Sequence, residues 1–101
     1  MPKLVVQKRS GLKPSDAYQK VKSSLSDDRD LKKLDAAYHC VFDDQTLTGT
    51  ANGKMFKAAI SVKPESTGSA VEIVVDLPLT LALVKGFIES TLKKKLDDSL
   101  N

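Results

Sequence analysis

The sequence predicts an α+β fold: a curved antiparallel sheet in the order β-α-β-β-β-β-α, with a long C-terminal helix packed on its apolar face. Three observations predict it. Phe56, Ala58, Ile60 and Val62, and then Val71, Ile73, Val75 and Leu77, recur at every second position, the pattern of half-buried antiparallel strands. Leu81, Val84, Ile88, Leu92, Leu96 and Leu100 follow at spacings of three or four, the stripe of a helix covering one surface. The chain has 101 residues, of which 41% are hydrophobic and 29% charged, enough for one core and one domain over 1–101.

The elements follow in order. Leu4, Val5 and Val6 between polar flanks read as a first strand. Gly11 breaks it, and Pro14-Ser15-Asp16 opens a helix: proline lacks an amide hydrogen that would have no partner in the first turn, and Asp16 suits the positive dipole end. Ala17, Tyr18, Val21 and Leu25 share the inward face of that helix. Ser26-Asp27-Asp28 either ends it or caps a second short helix through Leu31 and Leu34. From Ala36 the period becomes two, with Tyr38, Cys40 and Phe42 on one face of a strand and Ala37, His39 and Val41 on the other. Residues 46–51, rich in threonine, form the next strand, and Asn52-Gly53 predicts a two-residue hairpin turn, because both residues accept positive φ. Residues 64–68 read as a loop before the last strand. Pro78 closes that strand, and the final helix runs from about residue 79 to 98, with lysines 93–95 set toward its negative end.

Composition and motifs exclude several function classes. Sixteen basic against thirteen acidic residues leave a net charge of +3, far from the single-sign field of a dedicated nucleic-acid binder, and acids are interspersed among the lysines. With five aromatic positions (Tyr 2, Phe 3) and no tryptophan, a base-stacking platform is poorly supplied, so no nucleic-acid partner is expected. One cysteine allows no internal disulfide. The opening residues show only three consecutive apolar positions, Leu4, Val5 and Val6, too few for a secretory signal, and no run has the length of a membrane-spanning helix. A cytoplasmic location follows as the expectation.

No catalytic or metal constellation stands out. His39 and Cys40, one of each in the chain, are strand neighbours and point to opposite faces, so they form no nucleophile pair. They also fall short of the ligand count of a zinc site. Asp27-Asp28, Asp43-Asp44 and Asp97-Asp98 sit at helix ends and a turn, without the spacing of a calcium loop. The five glycines form no phosphate-cradling motif. No catalytic residue, metal or cofactor is expected; the one acid–base pairing to consider is His39 with Asp76 or Glu72.

The start of the last helix carries more apolar residues than one packed face uses. Leu81, Val84 and Ile88 satisfy the core, leaving Leu79, Leu83 and Phe87 on the flank beside Lys85 and Gly86. Either the sheet curls round and buries them, or they form an apolar patch rimmed by lysines. Gly86, at about 1 kcal/mol less favourable than alanine inside a helix, predicts close backbone packing there.

The segment Val74-Val75-Asp76-Leu77-Pro78-Leu79, followed by Val84-Lys85-Gly86-Phe87-Ile88-Glu89, then Leu92, Leu96-Asp97 and Leu100, resembles the polyhydroxyalkanoic acid system family of small bacterial proteins. Ala17 in the first helix and Gly53 before an alternating strand extend the resemblance over most of the chain. It implies association with polyhydroxyalkanoate storage granules or their metabolism in the bacterial cytoplasm, and it implies no reaction. The order of elements is also similar to a shortened helix-grip fold, a likeness of topology that carries no function with it.

The expectation is therefore a non-catalytic protein that binds an apolar surface, ligand or partner through Leu79, Leu83, Lys85, Gly86 and Phe87, with polyhydroxyalkanoate polymer or a granule-coating protein as the target. The alternative is a homodimeric structural or assembly module without a small-molecule ligand, burying the same patch or pairing an open sheet edge.

Overall fold

The computed structural model describes residues 3–26, 29–34, 36–54, 57–77 and 85–100. Its elements are β1 (Lys3–Ser10), α1 (Pro14–Leu25), α2 (Arg29–Leu34), β2 (His39–Asp43), β3 (Thr48–Asn52), β4 (Lys57–Glu65), β5 (Gly68–Asp76) and α3 (Lys85–Leu100). The five strands form one antiparallel sheet in the order β1-β5-β4-β3-β2. The α+β architecture is thus the one the alternation predicts. The first strand runs four residues past Val6, and the stretch after Ser26 is a separate helix.

Register sets the inner face. Leu4 pairs with Val75, Val6 with Ile73, Ala58 with Val75, Ile60 with Ile73 and Val62 with Val71. All of these are buried, as are Ala17, Tyr18, Val21 and Leu25 of α1 and Ile88, Leu92, Leu96 and Leu100 of α3. Helix α3 packs on β1 and on α1, while α1 also reaches β4 and β5. Lys8 continues the inward row of Leu4 and Val6 at the open end of β1, and its Nζ meets Asp97 Oδ1 of α3 at 2.8 Å. The helix stripe from Ile88 onward is as predicted; Leu81 and Val84 lie outside the described residues.

The hairpins depart from the sequence reading. Asn52 pairs with Lys57, so residues 53–56 connect β3 to β4 and the two-residue turn predicted at Asn52-Gly53 is not formed. The two-residue turn lies at Ser66-Thr67, since Glu65 pairs with Gly68. Residues 64 and 65 belong to β4 rather than to a loop. The reason is the matching of apolar rows: bringing Val62 opposite Val71 and Ile60 opposite Ile73 leaves only Ser66 and Thr67 unpaired. Pro64 is tolerated there because β3 pairs with β4 only as far as Ser61, so no neighbouring strand misses its amide hydrogen.

Two glycines hold this geometry. Gly68 has φ +150°, and a Cβ on it would run into the Ser10 carbonyl oxygen. Gly49 lies directly across from Phe42, whose ring covers it where a side chain would stand. The core is closed at one end by Ser69, fully buried, whose Oγ donates to the Leu12 carbonyl at 3.0 Å. At the other end Tyr38 Oη donates to the Leu25 carbonyl at 2.5 Å, occupying one of the carbonyls that the C-terminus of α1 leaves open.

Candidate functional site

The predicted contact residues divide between described and undescribed segments. Leu79 and Leu83 lie outside the described residues. Lys85, Gly86 and Phe87 form the first described turn of α3: Lys85 is half-buried, Gly86 exposed, and Phe87 is 58% exposed. The next residue, Ile88, is only 4% exposed. One residue is about 100° around a helix, so the step from Phe87 to Ile88 takes the chain from solvent to core. Gly86 shows no close backbone packing: nothing among the described residues lies within 4 Å of where its Cβ would be. Among the described residues, therefore, the close approach predicted from that glycine is not found.

The lysines of α3 also sit differently from the sequence reading. The helix runs to Leu100, its last turn holds no basic residue, and residues 93–95 lie in its second half but short of that turn. Lys93 Nζ pairs instead with Glu89 Oε1 one turn back, at 2.9 Å. Lys93 is exposed, as is Lys94 next to it in the sequence.

The residues weighed for acid–base chemistry, His39, Glu72 and Asp76, do not come together. His39 is exposed on the outer face of β2, with Nδ1 3.2 Å from the Ala37 carbonyl oxygen. Cys40 points inward, its Sγ 3.0 Å from Tyr38 Oη and 3.3 Å from the Leu25 carbonyl oxygen. The opposite-face placement is as the alternation predicts. Glu72 and Asp76 are on β5, with β4 and β3 between them and β2. At about 4.8 Å per strand Asp76, in register with His39, stands roughly 14 Å from it, and Glu72, four residues further along β5, stands farther still. Gln7 Nε2 donates to Glu72 at 2.6 Å, and Asp76 lies 3.9 Å from Lys3 Nζ. The one acid–base pairing open to the sequence is not assembled. Among the described residues no three histidine, cysteine or acidic side chains converge as metal ligands.

The third cluster joins α1 to the turn after β2. Tyr18, nearly fully buried, donates through Oη to Asp44 Oδ1 at 2.5 Å, and Lys22 Nζ reaches the same oxygen at 3.0 Å. Burial, the hydrogen bond to Asp44 and the charges of Asp44 and Asp43 push the phenol up to about 12. The hydrogen bonds from Tyr18 and Lys22 hold the Asp44 carboxyl below its ordinary range. The Tyr18 ring meets Phe42 edge-on, with centroids 6.0 Å apart. This is an anchoring arrangement: the phenol is committed to one carboxylate and stays protonated.

Sequence reasoning did not single out the outer face of the sheet. Val5 on β1 is 52% exposed and Val41 on β2 is 60% exposed. Register joins them in one row across all five strands: Val5 opposite Val74, Val74 opposite Ala59, Ala59 opposite Thr50, and Thr50 opposite Val41. The alternation set Val41 opposite Cys40 and Phe42, but which strands lie at the sheet edges is a long-range fact.

No family model and no curated protein sequence matches this chain. Solved structures do resemble it. TTHA0849 from Thermus thermophilus is 12% identical with a TM-score of 0.61, over 98% of this chain and 94% of that one. CV1439 from Chromobacterium violaceum is 10% identical with a TM-score of 0.57, over 99% and 98%. Ara h 8.0201 is 11% identical with a TM-score of 0.54, over 98% and 97%. At these identities the likeness is one of fold, and it spans nearly the whole of each chain. No helix among the described residues is long and apolar enough to cross a membrane.

Proposed function

We propose that this chain is a small, non-catalytic binding protein that docks an apolar surface through the start of α3, and that the surface is polyhydroxyalkanoate polymer at a storage granule in the cytoplasm. The observation that carries the reading is Phe87. It is a large apolar side chain, 58% exposed, on a helix whose other large apolar described residues, Ile88, Leu92, Leu96 and Leu100, are all buried. An aromatic ring held outside the packed stripe adds nothing to the core and is available for contact, and a patch forms where further apolar residues join it. Lys85 stands beside it, and Leu79 and Leu83 precede it in the sequence. The lysine stems extend the apolar area while their ammonium groups stay wet. The polymer as target rests on the sequence resemblance of residues 74–100.

The test is co-sedimentation of the purified protein with washed polyhydroxybutyrate granules, with albumin as the background. Phe87→Lys is expected to stay folded, because the side chain is already in solvent, and to lose most of the bound fraction. Val5→Lys, at the far edge of the outer sheet face, is expected to bind like the wild type. Wild-type binding no better than albumin removes the polymer as target and moves the contact to a granule-coating protein. Equal loss in both variants removes α3 as the site. The alternative, a homodimeric assembly module, is supported by a separate feature, the position of β2 at the end of the strand order.

A further inference from the structure

The strand order ends on one side at β1, which has eight residues and pairs only with β5. Which of its backbone groups face outward follows from the ladder. The Val62 amide donates to the Leu47 carbonyl at 3.0 Å, and these two residues continue the β3–β4 register. Hydrogen-bonded pairs in an antiparallel ladder alternate, and each residue turns its amide and carbonyl to the same side. Ala58, Ile60 and Val62 therefore bond toward β3, while Lys57, Ala59, Ser61 and Lys63 bond toward β5. Their partners are Asp76, Val74, Glu72 and Ala70, which leaves Val75, Ile73, Val71 and Ser69 to bond to β1. Those four stand opposite Leu4, Val6, Lys8 and Ser10. The amides and carbonyls of Lys3, Val5, Gln7 and Arg9 thus face away from the sheet, and no described residue bonds to them.

The side chains of the same four residues share the outer face of the sheet, and all are exposed. Along the strand they read cation, apolar, amide, cation. Edge strands are usually guarded by charge, and β1 carries Lys3, Lys8 and Arg9 with no acidic residue. A second copy of β1 laid antiparallel about Val6 would set Lys3 against Arg9, so self-pairing is disfavoured. The same charges attract an acidic strand. Acids of the sheet do not cancel them: Asp76 and Glu72 are on β5, and Glu65 is on β4. A strand added beyond β1 would lie about 5 Å from it but about 10 Å or more from those acidic strands, past a screening length of about 8 Å. Lys3 and Arg9 keep 67% and 88% of their side chains exposed while paired with Asp76 and Glu65, and pairs so exposed hold weakly.

We infer that β1 is a docking edge for an acidic, extended polypeptide segment, which adds to the sheet as a further antiparallel strand. The segment's residues opposite Lys3, Val5, Gln7 and Arg9 form the hydrogen-bonded pairs, and their side chains fall on the outer face at every second position. Acidic side chains meet Arg9 at one end and Lys3 at the other. An apolar side chain covers Val5, which is 52% exposed. A neutral one faces Gln7, because Gln7 Nε2 is bonded to Glu72 at 2.6 Å and an acid there would meet that carboxylate. The backbone bonds supply affinity, and the alternate row of side chains supplies selectivity. Neither Phe87 nor α3 takes part. A single short strand covers far less than about 1,200 Å², the lower bound of stable interfaces, so half-saturation is expected at roughly 0.1–1 mM.

Amide exchange of the isotope-labelled protein, read by NMR during titration with a capped peptide, tests this. The peptide carries glutamate, threonine, valine and glutamate, in that order, at alternate positions with serine between. The amides of Val5, Gln7 and Arg9 are expected to gain protection, while those of Val6 and Lys8, already bonded to β5, change little. Affinity is expected to fall several-fold as salt rises from about 0.01 to 0.1 M, and a peptide with lysine in place of both glutamates is expected not to bind. The double variant Lys3→Glu, Arg9→Glu, folded by circular dichroism, is expected to bind roughly tenfold more weakly. Val5→Pro removes an outward amide and leaves the ladder to β5 intact, so it is expected to abolish the protection. Phe87→Lys is expected to bind like the wild type. No protection at about 2 mM peptide overturns the inference, as does equal binding of the lysine peptide or binding unimpaired in Val5→Pro. Protection of these amides that grows with protein concentration in the absence of peptide gives the edge to a second copy and overturns it too. Loss of peptide binding in Phe87→Lys places the peptide on α3 instead.

Discussion

Tyr18 and Asp44 are joined by a hydrogen bond of 2.5 Å that ties the buried face of α1 to the turn after β2. They are 26 residues apart in sequence, and the bond is one of two polar ties between that helix and the β2–β3 turn among the described residues, the other being Lys22 on the same carboxylate oxygen. Phe42 packs edge-on against the Tyr18 ring and over Gly49. One phenol thus organises a helix, a turn and an aromatic lid over a strand.

This pair predicts a pH dependence with two limbs. Asp44 is held below its ordinary value of 3.8 in the folded state, so its contribution is complete above that value and is lost as acid protonates the folded carboxylate. Tyr18 is raised from 10.0 to about 12, so its contribution is complete below pH 10 and disappears between 10 and 12 as the unfolded phenol ionises first. Urea midpoints of wild type and Tyr18→Phe, measured from acid to alkaline pH, are expected to differ most near neutrality. The gap is expected to narrow below about pH 4 and above about pH 10. A pH-independent gap would show that the hydroxyl contributes nothing through Asp44.

Gly68→Ala is expected to be among the most damaging single-methyl changes in the chain. Its φ of +150° is one that side chains rarely adopt, and the added Cβ meets the Ser10 carbonyl. Strain of this kind costs roughly 1–3 kcal/mol, and the backbone collision adds to it. Thermal unfolding checks this, with Gly11→Ala as the comparison, since nothing among the described residues lies within 4 Å of where its Cβ would be.

Gly49→Ala tests the aromatic lid. The new methyl falls where the Phe42 ring lies, so the ring must swing away and give up its edge contact with Tyr18. Overpacking of this kind costs about 1–3 kcal/mol. The double change with Phe42→Leu is expected to recover part of that loss, which a double-mutant cycle on denaturation midpoints reads directly.

Ser69→Ala removes the buried donor to the Leu12 carbonyl and leaves that carbonyl without it, at a cost of about 1–3 kcal/mol. The loss is expected to appear locally as well: amide exchange in the segment between β1 and α1 should accelerate more than exchange in β4. Exchange that rises uniformly would mean the bond supports the whole fold rather than this corner.

Much of the fold was legible because side-chain direction alternates along a strand and recurs about every fourth residue along a helix. Ala58, Ile60 and Val62, Val71, Ile73 and Val75, and Ile88, Leu92 and Leu96 are buried as their spacing requires. Pro14 and Asp16 open α1 where local chemistry places them. The sequence also determined that Phe87 lies off the Ile88 stripe and that His39 and Cys40 face apart.

Tertiary structure decided the rest, because it depends on which distant segments meet. The Asn-Gly pair is the strongest local turn signal, yet the tight hairpin forms at Ser66-Thr67, since strand register follows the burial of whole apolar rows and outweighs the preference of one dipeptide. Tyr18 reads locally as one apolar position among four; only the packing of α1 over β2 gives its hydroxyl Asp44. Ser69 reads as a polar strand residue, and only the return of the chain at Leu12 makes it a buried donor. Val41 reads as an outward strand residue, but its place at a sheet edge is set by the order β1-β5-β4-β3-β2. Periodicity is a property of neighbours in the chain, while edges, partners and burial of single polar groups are properties of residues that meet only after the sheet has closed.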